Sequence, residues 1–266
     1  MSTGPGPSPG TVRREAEAFL GAVRFFTRIP VPAWVGHSAE GLNASARYFP
    51  AVGLLVGLAG ALVFAGGAAL WTMPIAILLS MGATVLLTGA FHEDGLADAA
   101  DGLGGGWTRD DVLRIMKDSR TGSYGVVALA LVLLGKFVVL SQLPLLWIPA
   151  ALVAGHAFSR FCSTTLIATL DYVREDLQSK AKPLATRLSP GALAVAAGFA
   201  ALGLGGCAGL TGVAPVLVGV GLAALVTVWL ARKFVRRLGG YTGDLLGATQ
   251  QATELAFYLG LACQLP

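Results

Sequence analysis

Predominantly apolar runs recur along this chain, over residues 48–71, 73–91, 124–147, 149–170, 191–211 and 213–232. Most are long enough, at ~1.5 Å per helical residue, to cross the ~30 Å of a bilayer's hydrocarbon. Backbone polar groups in lipid must be satisfied within the chain, so runs of about 20 residues read as helices. Only 13% of residues are charged, against about 25% in a soluble domain. The expected fold is all-α: a polytopic membrane bundle of six to seven transmembrane helices. Residues 15–27 are amphipathic, with Phe19, Leu20, Val23 and Phe26 on one side, and predict an interfacial helix ended by Pro30 and Pro32. The Gly/Pro-rich residues 1–12 read as a disordered tail, and 13–266 as one membrane-embedded domain. No signal-peptide pattern opens the chain, so the first span is expected to direct insertion. A last apolar piece, 252–265, is short for a crossing and carries Glu254; it reads as re-entrant, tilted or packed inside the bundle.

The connections alternate in character. Those near residues 71–74, 142–149 and 209–215 are uncharged, whereas 92–122, 171–190 and 232–250 hold most acids and bases. Among the Lys and Arg residues, Lys136 and Arg160 stand out as lying inside predicted spans. The positive-inside rule therefore places the charged loops and the N-terminus in the cytoplasm. The same bias accounts for the net charge of +4 without a nucleic-acid partner. Cys162, Cys207 and Cys263 are far apart in apolar segments and read as small hydrophobes, not as ligands or disulfides. Gly53, Gly57 and Gly60 form a small-residue stripe suited to close helix packing, within the bundle or in a homo-oligomer.

One short segment breaks this apolar economy. Glu93, Asp94, Asp98 and Asp101 are four of the chain's 15 carboxylates, gathered into nine residues. At ~100° per residue, Asp94, Asp98 and Asp101 share a roughly 60° arc of a helix. Stacked carboxylates repel one another unless a cation neutralises them, and hard oxygen donors select Mg²⁺, Mn²⁺ or Ca²⁺. An acidic first turn alone explains Glu93 and Asp94, but not Asp98 and Asp101. The metal reading is therefore preferred.

A basic block follows. Arg114, Lys117 and Arg120 are spaced i, i+3, i+6 and predict one basic helical side, suited to a phosphate-rich substrate beside a divalent metal. Contact with anionic membrane lipid is the plainer alternative. His156 and Arg160, four apart inside a span, share a face; ionisable groups at that depth usually face a bundle interior. Asp244 and Glu254 suit a metal shell or a nucleotide contact, and Asp244 equally a helix N-cap. No Walker lysine motif, G-x-S-x-G or H-E-x-x-H occurs. Carboxylates, a metal and bases at one membrane face point to transfer of a phosphate-linked group, with the metal on a pyrophosphate and a hydroxyl attacking in line.

Phe91-His-Glu-Asp-Gly-Leu-Ala-Asp-Ala-Ala-Asp-Gly102, Ile115-Met-Lys-Asp-Ser-Arg120 and Gly122-Ser-Tyr-Gly125 closely resemble the signatures of the cobalamin synthase (adenosylcobinamide-GDP ribazoletransferase) family. So do Phe26-Thr-Arg-Ile-Pro-Val-Pro32, Arg47-Tyr-Phe-Pro-Ala-Val-Gly53 and Gly243-Asp-Leu-Leu-Gly247, and the resemblance covers essentially the whole chain. The poorest match is 171–190, where Lys182-Pro183 and Arg187 only loosely follow the family's basic loop. The resemblance implies a multi-pass enzyme of the cell inner membrane with its active site facing the cytoplasm. It implies joining of adenosylcobinamide-GDP to α-ribazole, or its 5′-phosphate, with release of GMP and a need for Mg²⁺. On that chemistry Glu93, Asp94, Asp98 and Asp101 are expected on Mg²⁺, with Glu93, Asp94 or Asp98 taking the hydroxyl's proton. Lys117, Arg120 and Arg160 are expected on phosphates, with Arg28, His156 and Asp244 as further substrate contacts.

Two rivals fit less well. A CDP-alcohol phosphotransferase of lipid synthesis is expected to carry D-G-x-x-A-R followed by spaced acids, whereas Asp98 stands here at the arginine position. A cation-coupled transporter needs ionisable residues at mid-membrane in paired broken helices, whereas these acids cluster on one side.

Overall fold

A computed structural model describes residues 10–36, 39–173 and 188–264. Residues 1–9 of the expected tail and the loosely matching Lys182-Pro183 and Arg187 lie outside the described residues. The elements in chain order are α1 (Thr11–Phe26), α2 (Ala39–Ser45), a 3₁₀ turn (Ala46–Tyr48), α3 (Phe49–Leu70), α4 (Met73–Thr88), α5 (Phe91–Gly105) and α6 (Arg109–Ile115). There follow α7 (Ser123–Gln142), α8 (Ile148–Thr169), α9 (Pro190–Thr211), α10 (Val213–Leu238) and α11 (Gly243–Leu261). Among the described residues the only extended pairing is a bridge between Tyr172 and Tyr241. The all-α polytopic fold is as expected, and α1 covers the amphipathic segment, burying Ala18, Ala22, Val23 and Phe26. It starts at Thr11, so Thr11 and Val12 of the expected tail are helical.

The number of spans differs from expectation. Among the described residues, four helical segments are long and apolar enough to cross a membrane: Gly41–Leu70, Ser123–Gln142, Pro190–Thr211 and Val213–Leu238. A fifth is reached only by joining α4 to α5 across a bend of 87°. The expected spans over 149–170 and 252–265 correspond to α8 and α11, which are buried along most of their length. Their polar residues are shielded by neighbouring helices, so they need not match lipid. Of the three readings of the last apolar piece, packing inside the bundle is the observed one. α11 lies against α10, α5, α8 and α7.

Two glycine contacts set this arrangement. The Gly53/Gly57/Gly60 stripe is used within the bundle: a Cβ on Gly57 would stand 2.6 Å from the Val153 Cα of α8, and one on Gly60 would stand 2.9 Å from Thr84 of α4. Between α4 and α5, Gly89 (φ 67°) and Ala90 (φ 58°) both take the left-handed conformation, which ends α4 and turns the chain. Arg28 packs on this elbow. Its N–H donates to the Leu87 carbonyl at 2.8 Å, and its Nε lies 2.7 Å from where a Cβ on residue 89 would be. Beyond Thr88 the predicted span 73–91 therefore cannot continue straight, and α5 leaves at close to a right angle.

Candidate active site

α5 carries the acidic motif and meets α11 backbone to backbone. A Cβ on Gly95 would come within 3.2 Å of the Asp244 Cα and 3.3 Å of the Gly247 Cα. This crossing brings the first turn of α11, with Asp244, beside the acidic face. Along α5 the carboxylates pass from exposed Asp94 through half-buried Asp98 to buried Asp101. Among the described residues no hydrogen bond or ion pair engages the Asp94 carboxylate.

Asp101 departs from its expected metal role. Its carboxylate accepts the N–H of Gly122 at 2.7 Å and of Gly125 at 2.9 Å, both in the opening turn of α7. Two backbone donors at a helix N-terminus satisfy and localise the charge. A Cβ at either glycine would collide with Asp101, which accounts for the Gly122-Ser-Tyr-Gly125 motif. Asp101 thus anchors the loop that follows α6.

Glu93 departs too, because it faces inward from α5. Its Oε1 accepts from Gln251 Nε2 at 3.0 Å, while Oε2 is buried without a partner. Gln251 Oε1 accepts from Lys136 Nζ at 2.8 Å, and Lys136 pairs with Glu254 at 3.1 Å. Glu254 also accepts from Gln250 at 2.6 Å and from Tyr258 at 3.1 Å, and His156 Nδ1 lies 3.4 Å from it. His156, expected at the substrate, belongs to this interior network. Glu93, Lys136, His156, Glu254 and Tyr258 border a cavity of about 20 Å³, room for a water or two. Among the described residues no three Asp, Glu, His or Cys side chains converge as a cage for a metal ion.

The basic block is not one helical side. α6 starts with a capping box between Thr108 and Asp111 and ends at Ile115, so Lys117 and Arg120 stand in the turns beyond it. Arg114 pairs with Asp111 at 2.9 Å. The Arg114 guanidinium, followed by the Thr108 hydroxyl, lowers the Asp111 pKa. Arg120 pairs with Asp118 through Nη2 at 2.6 Å and Nε at 3.0 Å. Those hydrogen bonds, with one from the Arg120 backbone, hold Asp118 down at about 2. Both basic residues are exposed, on the same side of the bundle as the end of α10. Arg109 Nε reaches the Leu238 carbonyl at 3.1 Å, and Arg237 reaches that of Gly106 at 2.6 Å. Arg28, expected at the substrate, is exposed at the α4–α5 elbow.

Arg160 is buried, with its guanidinium 5.8 Å from the centre of the Phe26 ring. It lines a second cavity with His92, Ser163, Gly243 and Gly247. Sequence reasoning missed Gln250, Gln251 and Tyr258 and left Lys136 and Glu254 unconnected. The available signal was the polar spacing Gln250-Gln251, Glu254, Tyr258 down one face of an otherwise apolar helix.

Residues 18–262 match the family described as cobalamin-5-phosphate synthase. A relative from Shewanella amazonensis, called adenosylcobinamide-GDP ribazoletransferase, is 50% identical over 262 residues, covering 94% of this chain and 96% of its own. Proteins of the same name from Shewanella frigidimarina (49%; 92% and 94% covered) and a Polaromonas species (47%; 93% and 96% covered) are also similar. No solved structure matches the chain.

Proposed function

Since the chain belongs to the cobalamin-5-phosphate synthase family, we propose that adenosylcobinamide-GDP and α-ribazole meet over the exposed part of α5, with Mg²⁺ between Asp94, Asp98 and the donor's diphosphate. The reaction joins the two substrates into adenosylcobalamin, or its 5′-phosphate, and releases GMP. One observation carries the placement: Asp94, exposed, and Asp98, half-buried, stand one helical turn apart where α5 crosses the start of α11.

The donor set fits this ion. Mg²⁺ keeps several waters and is commonly held by one or two carboxylates together with substrate phosphates, so no protein cage is needed. When bound, the ion supplies positive charge against the diphosphate oxygens. The chain's own groups do the rest. The ribazole hydroxyl attacks the phosphorus nearer the cobinamide, the bond to the GMP oxygen breaks, and one of the two carboxylates accepts the hydroxyl proton. Lys117 and Arg120 meet the phosphate that leaves with GMP. Arg120 does so by exchanging Asp118 for a phosphate oxygen, a swap of one bidentate partner for another. Asp244, at the first turn of α11, orients substrate across the crossing. Arg109 at the start of α6 and Arg237 at the basic end of α10 lie together beside the end of α5, which supports a cytoplasmic placement of this face in the inner membrane.

The test is the purified chain in lipid nanodiscs with adenosylcobinamide-GDP and α-ribazole, titrated with Mg²⁺ while GMP and cobalamin are followed. GMP release that needs Mg²⁺ and collapses in Asp94→Asn is the expected result. Full turnover in chelator, or an active Asp94→Asn enzyme, refutes the site.

A further inference from the structure

The bundle interior holds two cations with opposite circumstances. Lys136 has Glu254 and Gln251 within hydrogen-bond distance. Arg160 is 2% exposed and has no carboxylate within 4.0 Å among the described residues. Its Nη1 donates to the His156 carbonyl at 3.0 Å and lies 3.4 Å from His156 Nδ1, and its buried Nε has no partner. Glu254 and Glu93 offset its charge only through space, and a buried guanidinium with no hydrogen-bonded anion is costly; such groups at membrane depth mark ligand positions.

The cavity that Arg160 lines has the complementary chemistry. Gly243 contributes bare backbone at the first position of the 19-residue helix α11, where helix N–H groups favour negative charge. Phe26 and His92 stack at 5.1 Å and 15° to form an aromatic wall. The Ser163 hydroxyl is already committed, donating to the Leu246 carbonyl at 2.9 Å. The free volume is about 20 Å³, enough for the oxygen end of an oxyanion in place of a water or two and too little for a nucleobase. Phe91 and His92 of α5 line the cavity and Gly247 packs on Gly95, so the cavity lies on the inward side of the helix that carries Asp94 and Asp98.

We infer that this cavity receives a terminal phosphate monoester, the 5′-phosphate of a phosphorylated ribazole acceptor, and that Arg160 sets the preference for that form over the nucleoside. The inference rests on the reaction proposed above. The donor's diphosphate offers similar oxygens but is internal and is served by Asp94, Asp98, Lys117 and Arg120. A terminal phosphate is the group that can enter a small, closed end.

The experiment compares kcat/KM for α-ribazole 5′-phosphate with kcat/KM for α-ribazole in wild type, Arg160→Gln and Arg160→Lys. The expected result is a fall of about tenfold or more in this ratio for Arg160→Gln, the usual loss for a charge-assisted hydrogen bond, with partial retention in Arg160→Lys. An unchanged ratio, or a rise confined to the KM of adenosylcobinamide-GDP, overturns the assignment. If the variants do not fold, wild type decides. Inorganic phosphate is expected to inhibit competitively against the phosphorylated acceptor and not against α-ribazole, and equal inhibition against both overturns the inference. Wild type that releases no GMP with either acceptor refutes the underlying reaction, whereas wild-type turnover with an unaltered ratio refutes only the role of Arg160.

Discussion

The two faces of α5 treat the same kind of residue in opposite ways. Inward, Glu93 joins a network in which Lys136, Gln250, Gln251, Glu254 and Tyr258 answer one another at 2.6–3.1 Å. Outward, Asp94 projects into solvent with no such partner among the described residues. A buried charge left unmatched by the protein is costly. An exposed one is stabilised by water and is available to a ligand. The inner set therefore holds α5, α7, α8 and α11 in register, and the outer set is the one proposed for the chemistry.

The largest expected effect breaks the inner side. Lys136→Met leaves Glu254 with its charge buried and uncompensated, and about 3–5 kcal/mol of stability is expected to be lost. Glu254→Gln in the same chain is expected to restore much of it, because the double variant removes both charges. Unfolding titrations in mild detergent measure both, and a single variant as stable as wild type would mean the pair is not a structural tie. Asp94→Asn probes the outer side: a loss of about 10²–10³ in kcat is expected with an unchanged unfolding midpoint. A large drop in that midpoint would erase the distinction between the two faces. Asp101→Asn falls between them. It replaces one acceptor of the Gly122 and Gly125 N–H groups with a donor, at about 1–3 kcal/mol, while the Mg²⁺ concentration for half-maximal rate stays put. A marked shift in that concentration would return Asp101 to the metal.

What was legible in the sequence follows the same division. Local periodicity found α1, the long apolar helices and the shared face of Asp94, Asp98 and Asp101, since those depend on residues a turn or two apart. It did not reveal that Asp101 is taken by backbone N–H groups more than twenty residues on, because a backbone donor leaves no side-chain signal beyond two glycines. Lys136 and Glu254 each looked anomalous in an apolar segment, and only the packing of α7 against α11 explains either by the other. Hydropathy is mute on a related point: apolar character does not distinguish a helix facing lipid from one enclosed by other helices, as α8 and α11 are. The i, i+3, i+6 spacing of Arg114, Lys117 and Arg120 failed as a helical face because α6 stops at Ile115.

The smallest effect concerns an outer cation held by a neighbouring carboxylate. Arg120 is clamped by Asp118, and both groups are solvent-exposed, so the pair is weak and screened by salt. Asp118 titrates at about 2, below its usual 3.8. A depressed carboxylate contributes above its unfolded pKa and loses that contribution as pH falls through the folded value, so the clamp stays fully formed between pH 5 and 8. Removing it by Asp118→Asn leaves Arg120 available to the donor's phosphate without an exchange of partners. The KM for adenosylcobinamide-GDP is then expected to fall by about two- to fivefold at low ionic strength. The gap from wild type should close as salt is raised and should be flat across pH 5 to 8. A KM that rises instead would mean that Asp118 shapes the turn that presents Arg120, and the clamp would then belong with the saturated structural contacts of the inner face.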